Sequence, residues 1–352
     1  MGEDLIVSEL VAKHLGSRSS SVIIGPGDDS AVLHSPPQGL ATVLTVDPCP
    51  TPVLELLGQG RMRDWGRLSA TISLSDIAAM GATPTAILSS TDMPPSMRDC
   101  EYEDFLSGLS AACKEFGVSV VGGNVREGSS FNATTVAIGW VDPASCLRRT
   151  GAKPDDRLLV IGECGRFWAG VLGIMNGEIF PEEIEQDWVS ALRYPTAKVA
   201  AGKIVADLGL AHAAIDCSDG LGEAVMTLSA ASGLGANLDR RALLGLAPSS
   251  AATRYGVSAL ALALAWGDWQ LLVAVPSENV GTVSNGLAAA GIESIDIGSL
   301  VEGTGLMLEA SGKTVPLRAT YGSKRFSRDS YMISGLEAYA LCLREARAEL
   351  GE

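Results

Sequence analysis

Two periods of apolar residues run through this chain, one helical and one alternating. Residues 3–15 place apolar side chains at helical spacing and predict an amphipathic helix. GPGDDSAVL (25–33) predicts a turn entering a strand, and LATVLTVD (40–47) a strand that ends on an aspartate. Residues 64–81 predict a helix rich in small side chains, closed by Gly81 ahead of Pro84. There follow a strand over 85–93, a helix over 99–116 stopped by Gly117, a buried strand over 118–123 with a glycine turn, and a strand over 132–141. From 148 to 165 a basic turn, a Pro-Asp-Asp loop, a strand and a glycine turn read as the start of a second domain. Beyond it the pattern predicts a helix over 193–208, a strand-turn-helix entry at AAIDCSDGL (213–221), a helix ending at Gly233 and a strand at WQLLVAV (269–275). Strand and helix alternate, with strands often in adjacent pairs, which gives an α/β (α+β) fold class. The expected division is an N-terminal domain over 1–147, a C-terminal domain over 148–330 and a helical extension over 331–352.

Composition narrows the function classes. A length of 352 residues suits two domains, and an apolar fraction of 47% supplies a full core. The formal charge of −15 argues against a nucleic-acid partner, which requires clustered Lys and Arg. Nucleotide phosphates are still compatible with it if Mg²⁺ and backbone N–H groups neutralise them. The seven cysteines, at 49, 100, 113, 146, 164, 217 and 342, form no CxxC pair and fit reduced thiols in a cytoplasm. The N-terminus is acidic and helical in pattern, unlike a signal peptide. The longest apolar stretch, Val257 to Trp266, is too short to span a bilayer, so no membrane partner is expected.

The candidate chemistry is a set of six aspartates: Asp28 and Asp29 in GPGDDS, Asp47 in TVDP, Asp76 in SLSDIAAMGATP, and Asp216 and Asp219 in IDCSDGL. Mg²⁺ binds through a few carboxylates together with substrate phosphates, and carboxylates on short stiff backbone suit it. Each motif also has an ordinary reading. GPGDDS is usual turn chemistry, Asp47 before Pro48 suits an Asx turn, and Asp76 could be a helix N-cap. Asp219 or Ser218 could cap a helix as well, although one cap does not explain two acids in an apolar setting. GGNVREG (122–128) offers Gly122 and Gly123 for close approach of a phosphate, the Asn124 carbonyl as a neutral ligand and Arg126 for a phosphate; a plain β-turn is the alternative. Cys217 reads as a packing residue, because no histidine pattern accompanies it.

Taken together, GPGDDSAVL, TVD, SLSDIAAMGATP, VVGGN, RRTGAKPDD and IDCSDGL resemble, in order and spacing, the superfamily of aminoimidazole ribonucleotide synthetase, thiamine-monophosphate kinase, selenophosphate synthetase and the hydrogenase-maturation carbamoyl dehydratase. The closest likeness is to thiamine-monophosphate kinase, over roughly residues 5–330. The resemblance implies two α/β domains, with N-terminal sheets of two subunits joined into a barrel-like homodimer. It implies ATP and several Mg²⁺ near that interface, with transfer of the γ-phosphoryl to a small-molecule substrate. Asp28, Asp29, Asp47, Asp76, Asp216 and Asp219 are then the metal candidates, and turnover rests most on Asp76 and Asp219. Gly25, Gly27, Gly122, Gly123, Asn124, Arg126 and Ser218 become nucleotide-binding candidates, while Lys153 matches a family segment that is structural or functional. Such catalysis needs positioning and charge neutralisation more than a covalent nucleophile.

Departures from the family pattern concentrate on the acceptor side. Asn124 stands where the kinases carry an acid, Ser73 where they carry Asn, and PCPTPVLELLG lacks their histidine-containing loop. AWGDWQ (265–270) replaces GGEDYE, which puts Trp266, Asp268 and Trp269 forward as substrate-side candidates; packing is the plainer role for the indoles. Three functions remain open at this point. They are ATP-dependent phosphotransfer with a conserved or altered acceptor, ATP-dependent amide-oxygen activation leading to cyclisation or dehydration, and nucleotide binding without turnover. An N-terminal reactive cysteine, expected of selenophosphate synthetase, is absent before Cys49, and Cys342 is too internal for a dehydratase tail.

Overall fold

The computed structural model describes residues 20–26, 30–180, 182, 185–310, 312–317, 320–323 and 331–350. The helix expected over 3–15, and Gly27, Asp28 and Asp29, lie outside the described residues. The chain divides into two compact units, residues 1–146 with 193–199, and residues 147–192 with 200–352.

In the N-terminal unit a short pair, β1 (Val22–Ile24) and β2 (Val32–Leu33), precedes a four-stranded sheet. That sheet runs in the order β3 (Ala41–Pro48), β6 (Asn132–Val141), β4 (Thr83–Met93), β5 (Ser119–Glu127). Helices α1 (Met62–Ala79) and α2 (Asp99–Glu115) cover one of its faces. α1 starts where the Arg61 N–H donates to the Asp64 carboxylate at 2.9 Å, and it stops at Gly81, whose φ of 67° suits glycine. The two helices touch backbone to backbone: a Cβ on Gly66 would lie 2.0 Å from the Phe105 carbonyl, and one on Gly108 2.0 Å from that of Arg63. Trp65, Phe105 and Phe131 fill the space beside this contact with edge-on rings.

Two local expectations need correction. The glycine turn after 118–123 does not occur: β5 continues through Gly122 and Gly123 to Glu127. A register shift between Ile87 and Leu88 of the partner strand leaves Val121 as an extra residue, and a Cβ on Gly123 would fall 1.8 Å from the Ser89 carbonyl. Gly123 therefore serves strand-to-strand contact, while a Cβ on Gly122 would meet only Leu88 Cδ2 at 3.8 Å. The helix expected over 193–208 begins only at Val199, because Pro195 interrupts it. Residues 193–199 instead form a strap that packs on α1 within the N-terminal unit. Arg67 donates to the Pro195 carbonyl at 3.3 Å, to Thr196 Oγ1 at 3.2 Å and to Glu115 Oε2 at 2.8 Å, while Thr71 Oγ1 donates to the same Pro195 carbonyl at 2.9 Å.

The C-terminal unit holds a seven-stranded sheet in the order β13 (Lys313–Pro316), β12 (Leu306–Ala310), β9 (Leu234–Asp239), β11 (Ser294–Glu302), β7 (Arg157–Ile161), β10 (Leu271–Val275), β8 (Ala213–Asp216). Its helices are α3 (Arg166–Met175), α4 (Val199–Leu208), α5 (Leu221–Ala231), α6 (Arg240–Leu246), α7 (Ser249–Tyr255), α8 (Ala259–Leu264), α9 (Val280–Ala288) and α10 (Tyr331–Glu349), the last kinked at Gly335. The centre of the sheet is apolar on both faces: β7 and β10 bury Leu158, Leu159, Val160, Ile161 and all of Leu271 to Val275. No helix among the described residues is long and apolar enough to cross a membrane.

Candidate active site

In the N-terminal unit the structure brings Asp47 and Asp76 together around a hydroxyl. β3 alternates its side chains between the two faces of the sheet, so Thr45 and Asp47 share the face that meets α1. Thr45 Oγ1 donates to Asp76 Oδ2 at 2.6 Å and lies 3.4 Å from Asp47 Oδ2. Asp76 stands in the last turn of α1, which excludes an N-cap role. A carboxylate there opposes the helix dipole and costs a few tenths of a kcal/mol or more, about what surface charges near helix ends are worth. The rest of this helix–sheet seam is knit by hydroxyls. Thr135 Oγ1 donates to the Ser69 carbonyl at 2.6 Å, so the 2.8 Å contact between Ser73 Oγ and Thr135 Oγ1 has Ser73 as donor. Ser73, in the place of a family asparagine, thus ties α1 to β6.

Gly122, Asn124 and Arg126 do not join that pair. Register pairs Leu88, Ser90 and Asp92 of β4 with Gly122, Asn124 and Arg126 of β5, which places all six on the outward face, opposite α1. Arg126 is engaged there by Asp92, with Nε to Oδ1 at 2.5 Å and Nη2 to Oδ2 at 3.2 Å. The guanidinium hydrogen bond holds the Asp92 carboxyl below the usual range. The other half of this face is apolar: Leu44 and Val46 are 65% and 61% exposed. Gly25, at the end of β1, is buried.

In the C-terminal unit Asp216 ends β8 and Asp219 follows one turn later. The Gly220 N–H donates to the Cys217 carbonyl at 3.0 Å and closes the turn. Gly220 has φ of 103°, and a Cβ on it would stand 2.9 Å from the Leu264 carbonyl. Gly220 is also the cap residue of α5, which has no side-chain cap, so neither Ser218 nor Asp219 is spent on capping. The turn borders a cleft of about 280 Å³ lined by Asp216, Ser218, Asp219, Glu223, Arg149 and Ser323 among others. Asp216 is 5% exposed, and Arg149 Nη2 stands 4.0 Å from its Oδ1. Ser323 Oγ donates to Asp219 Oδ1 at 2.5 Å. Burial raises the Cys217 thiol well above its ordinary value, which leaves it a packing residue.

Trp266, Asp268 and Trp269 do not line this cleft. Asp268 receives the Gly165 N–H at 2.7 Å and the Phe167 N–H at 2.8 Å, and so caps the start of α3. Trp266 packs among Phe167, Trp168 and Tyr339, with ring centroids 5.3, 5.3 and 5.8 Å away. Trp269 is 8% exposed and adopts φ of 54°. Lys153 gives its backbone N–H to Asp156 Oδ2 at 2.8 Å, and Asp156 also holds His212 Nδ1 at 2.8 Å, so this loop is built as a structural corner.

Thr45, Arg149, Glu223 and Ser323 are the residues that sequence reasoning did not select. Thr45 sits inside the quoted TVD motif, and Arg149 inside RRTGAKPDD. For Ser323 no local signal exists. The donor sets are all hard oxygen, in two pairs, and no group of three or more metal-ligating side chains occurs among the described residues. Paired carboxylates fit Mg²⁺, which completes its shell with water and phosphate, better than they fit Zn²⁺ or Ca²⁺.

This fold is that of an AIR synthase related protein: the family's N-terminal domain model matches residues 27–141 and its C-terminal domain model residues 153–310. A thiamine-monophosphate kinase of Salmonella typhimurium is 30% identical over 311 residues, covering 83% of this chain and 89% of that protein. The thiamine-monophosphate kinase of Stenotrophomonas maltophilia superposes with a TM-score of 0.71 at 23% identity, over 88% of this chain and 97% of its own. A structure of AaThiL complexed with AMPPCP and TMP superposes with a TM-score of 0.70 at 24% identity, over 93% of this chain and 99% of its own. The chain belongs to the AIR synthase related family, on its thiamine-monophosphate kinase branch.

Proposed function

We propose that this protein transfers the γ-phosphoryl group of ATP to an oxygen of a small-molecule acceptor, with thiamine monophosphate as the first candidate. The observation that carries the reading is the two-pair arrangement of Asp47 with Asp76 and Asp216 with Asp219, in a chain that spans 89% of a relative named for this reaction. AaThiL, complexed with AMPPCP and TMP, supports ATP and a phosphorylated acceptor as ligands. Asp47 and Asp76 in one unit, and Asp216 and Asp219 in the other, would hold Mg²⁺. When bound, Mg²⁺ neutralises phosphate charge and aligns the oxygens between which the group passes. Thr45 orients Asp76, Arg149 supplies a cation to the cleft, and the buried turn at 216–220 keeps its two carboxylates at fixed spacing. Asp28 and Asp29 remain metal candidates, and Gly25, Gly27 and Ser218 nucleotide candidates, on the strength of the family motifs. The contacts of Trp266 favour a packing role, those of Asp268 a helix-capping role, and the burial of Trp269 suits packing.

The apolar outward face of the N-terminal sheet supports a homodimer. Leu44 and Val46 stand beside Ile138 and Val136 of β6 on that face, and Asn124 and Arg126 would border the joint. Seven cysteines without a disulfide suit a cytoplasmic enzyme.

Incubation with γ-labelled ATP, Mg²⁺ and thiamine monophosphate tests the reading. Label in thiamine diphosphate, with ADP as co-product, is the expected result. Free phosphate with an altered amide product would favour the amide-activating branch, and nucleotide binding with no turnover on any acceptor would favour a degenerate protein. Leu44→Glu with Val46→Glu should convert a dimer to a monomer in light scattering.

A further inference from the structure

The C-terminal helix is tied to the Asp216–Asp219 cleft by residues that lie beyond both family-model matches, the second of which stops at 310. We infer that Ser323 is a positioning residue for the Asp219 carboxylate and that α10, through Tyr339, holds it in place. The inference rests on the phosphotransfer reading.

Segment 320–323 lies directly on the start of α5. A Cβ on Gly222 would stand 2.1 Å from the Thr320 carbonyl, and one on Gly322 2.1 Å from Glu223 Cγ. Backbone meets backbone here, with no room for side chains. Thr320 Oγ1 donates to Glu223 Oε1, which anchors the leading end. Ser323 anchors the other end twice: its N–H donates to the Asp219 carbonyl at 3.1 Å and its hydroxyl to Asp219 Oδ1 at 2.5 Å. Ser323 is 3% exposed, so the second bond is sheltered from competing water. A serine that donates to a carboxylate from a fixed backbone sets the plane in which that carboxylate presents its oxygens.

The segment holds this path against a local cost. Tyr321 adopts φ of 53°, which a bulky L residue rarely does unless neighbours enforce it. The enforcing contact is Tyr339 of α10, whose hydroxyl donates to the Tyr321 carbonyl. Tyr339 is itself clamped, stacked on Trp168 at 4.3 Å with 25° between planes. Burial pushes its phenol well above the usual value, so it remains a donor throughout the working pH range. The order of transmission is α10, Tyr339, Tyr321, Ser323, Asp219.

Full-length Ser323→Ala, Ser323→Thr and Tyr339→Phe test it, with steady-state kinetics, calorimetric titration of Mg²⁺ in the presence of a non-hydrolysable ATP analogue, and thermal unfolding. Ser323→Ala should raise the Mg²⁺ needed for half-maximal nucleotide binding, or lower kcat, by about tenfold. Ser323→Thr, which keeps the hydroxyl, should return to within about threefold of the parent. Tyr339→Phe should move in the same direction by less, and the double variant with Ser323→Ala should lose no more than Ser323→Ala alone. A folded Ser323→Ala chain with the parent's Mg²⁺ requirement and kcat, or a Ser323→Thr chain as impaired as Ser323→Ala, overturns the inference while leaving the phosphotransfer reading intact. A parent chain that binds no nucleotide sinks that reading and takes this inference with it.

Discussion

Asp76 stands in the last turn of a helix buried on nearly every side, where Thr45, Ser73 and Thr135 knit α1 to the sheet with hydroxyl groups. Asp216 and Asp219, by contrast, flank a short turn beside an open cleft, and their neighbours Arg149 and Ser323 come from 67 and 104 residues away. The first pair is oriented by a packed seam between one helix and one sheet. The second is oriented by a short segment laid over a helix start and pinned by partners distant in sequence.

The largest effects should fall on the acids themselves. Asp76→Asn and Asp219→Asn should each reduce kcat by on the order of a hundredfold, since even partners one bond removed from a metal cost 10–100-fold. Equal activity of either variant and the parent would remove that aspartate from the site. Thr45→Val should cost about tenfold in kcat, measured at saturating ATP, because it strips the donor from Asp76 without changing shape. This loss should not be recovered by added Mg²⁺, whereas a raised Mg²⁺ requirement in Ser323→Ala should be.

Stability sharpens the same contrast. Gly66→Ala drives a methyl into the Phe105 carbonyl and should destabilise the protein by about 2 kcal/mol, whereas Gly222→Ala, which meets Thr320, should cost about 1 kcal/mol because it displaces one short segment and not a whole helix. Calorimetric unfolding would reveal a reversal of that order. The smallest effect concerns thiols: burial pushes Cys49 and Cys113 up to about 12, so at pH 8 both should resist iodoacetamide, while exposed Cys100 reacts first. Mass spectrometry after brief labelling reads the order directly.

That Asp47 and Asp76, and Asp216 and Asp219, deserved to be read together was legible because each sits in a short motif whose neighbours are small or apolar, and the strands and helices around them follow plain hydrophobic periods. What escaped were contacts between distant segments. Nothing in VVGGN shows that a bulge at Val121 turns Asn124 and Arg126 toward the face opposite Asp76. Likewise, AWGDWQ looks like a substrate loop, since aspartate between tryptophans reads as chemistry. Only the fold shows Asp268 receiving the amides of Gly165 and Phe167 about a hundred residues earlier. The helix expected over 193–208 failed for a related reason, because apolar spacing outweighed Pro195, whose carbonyl is claimed by Arg67 and Thr71.

That strap has a consequence for how the molecule is made. Residues 193–199 complete the N-terminal unit, yet a ribosome delivers them some fifty residues after Cys146 has emerged. Until then the Arg67 guanidinium, nearly buried in the finished protein, waits without the Pro195 carbonyl it will bind. The first domain to be translated is therefore sealed only after the second has begun, and a gene fragment ending at 146 would encode a half-clasped version of it.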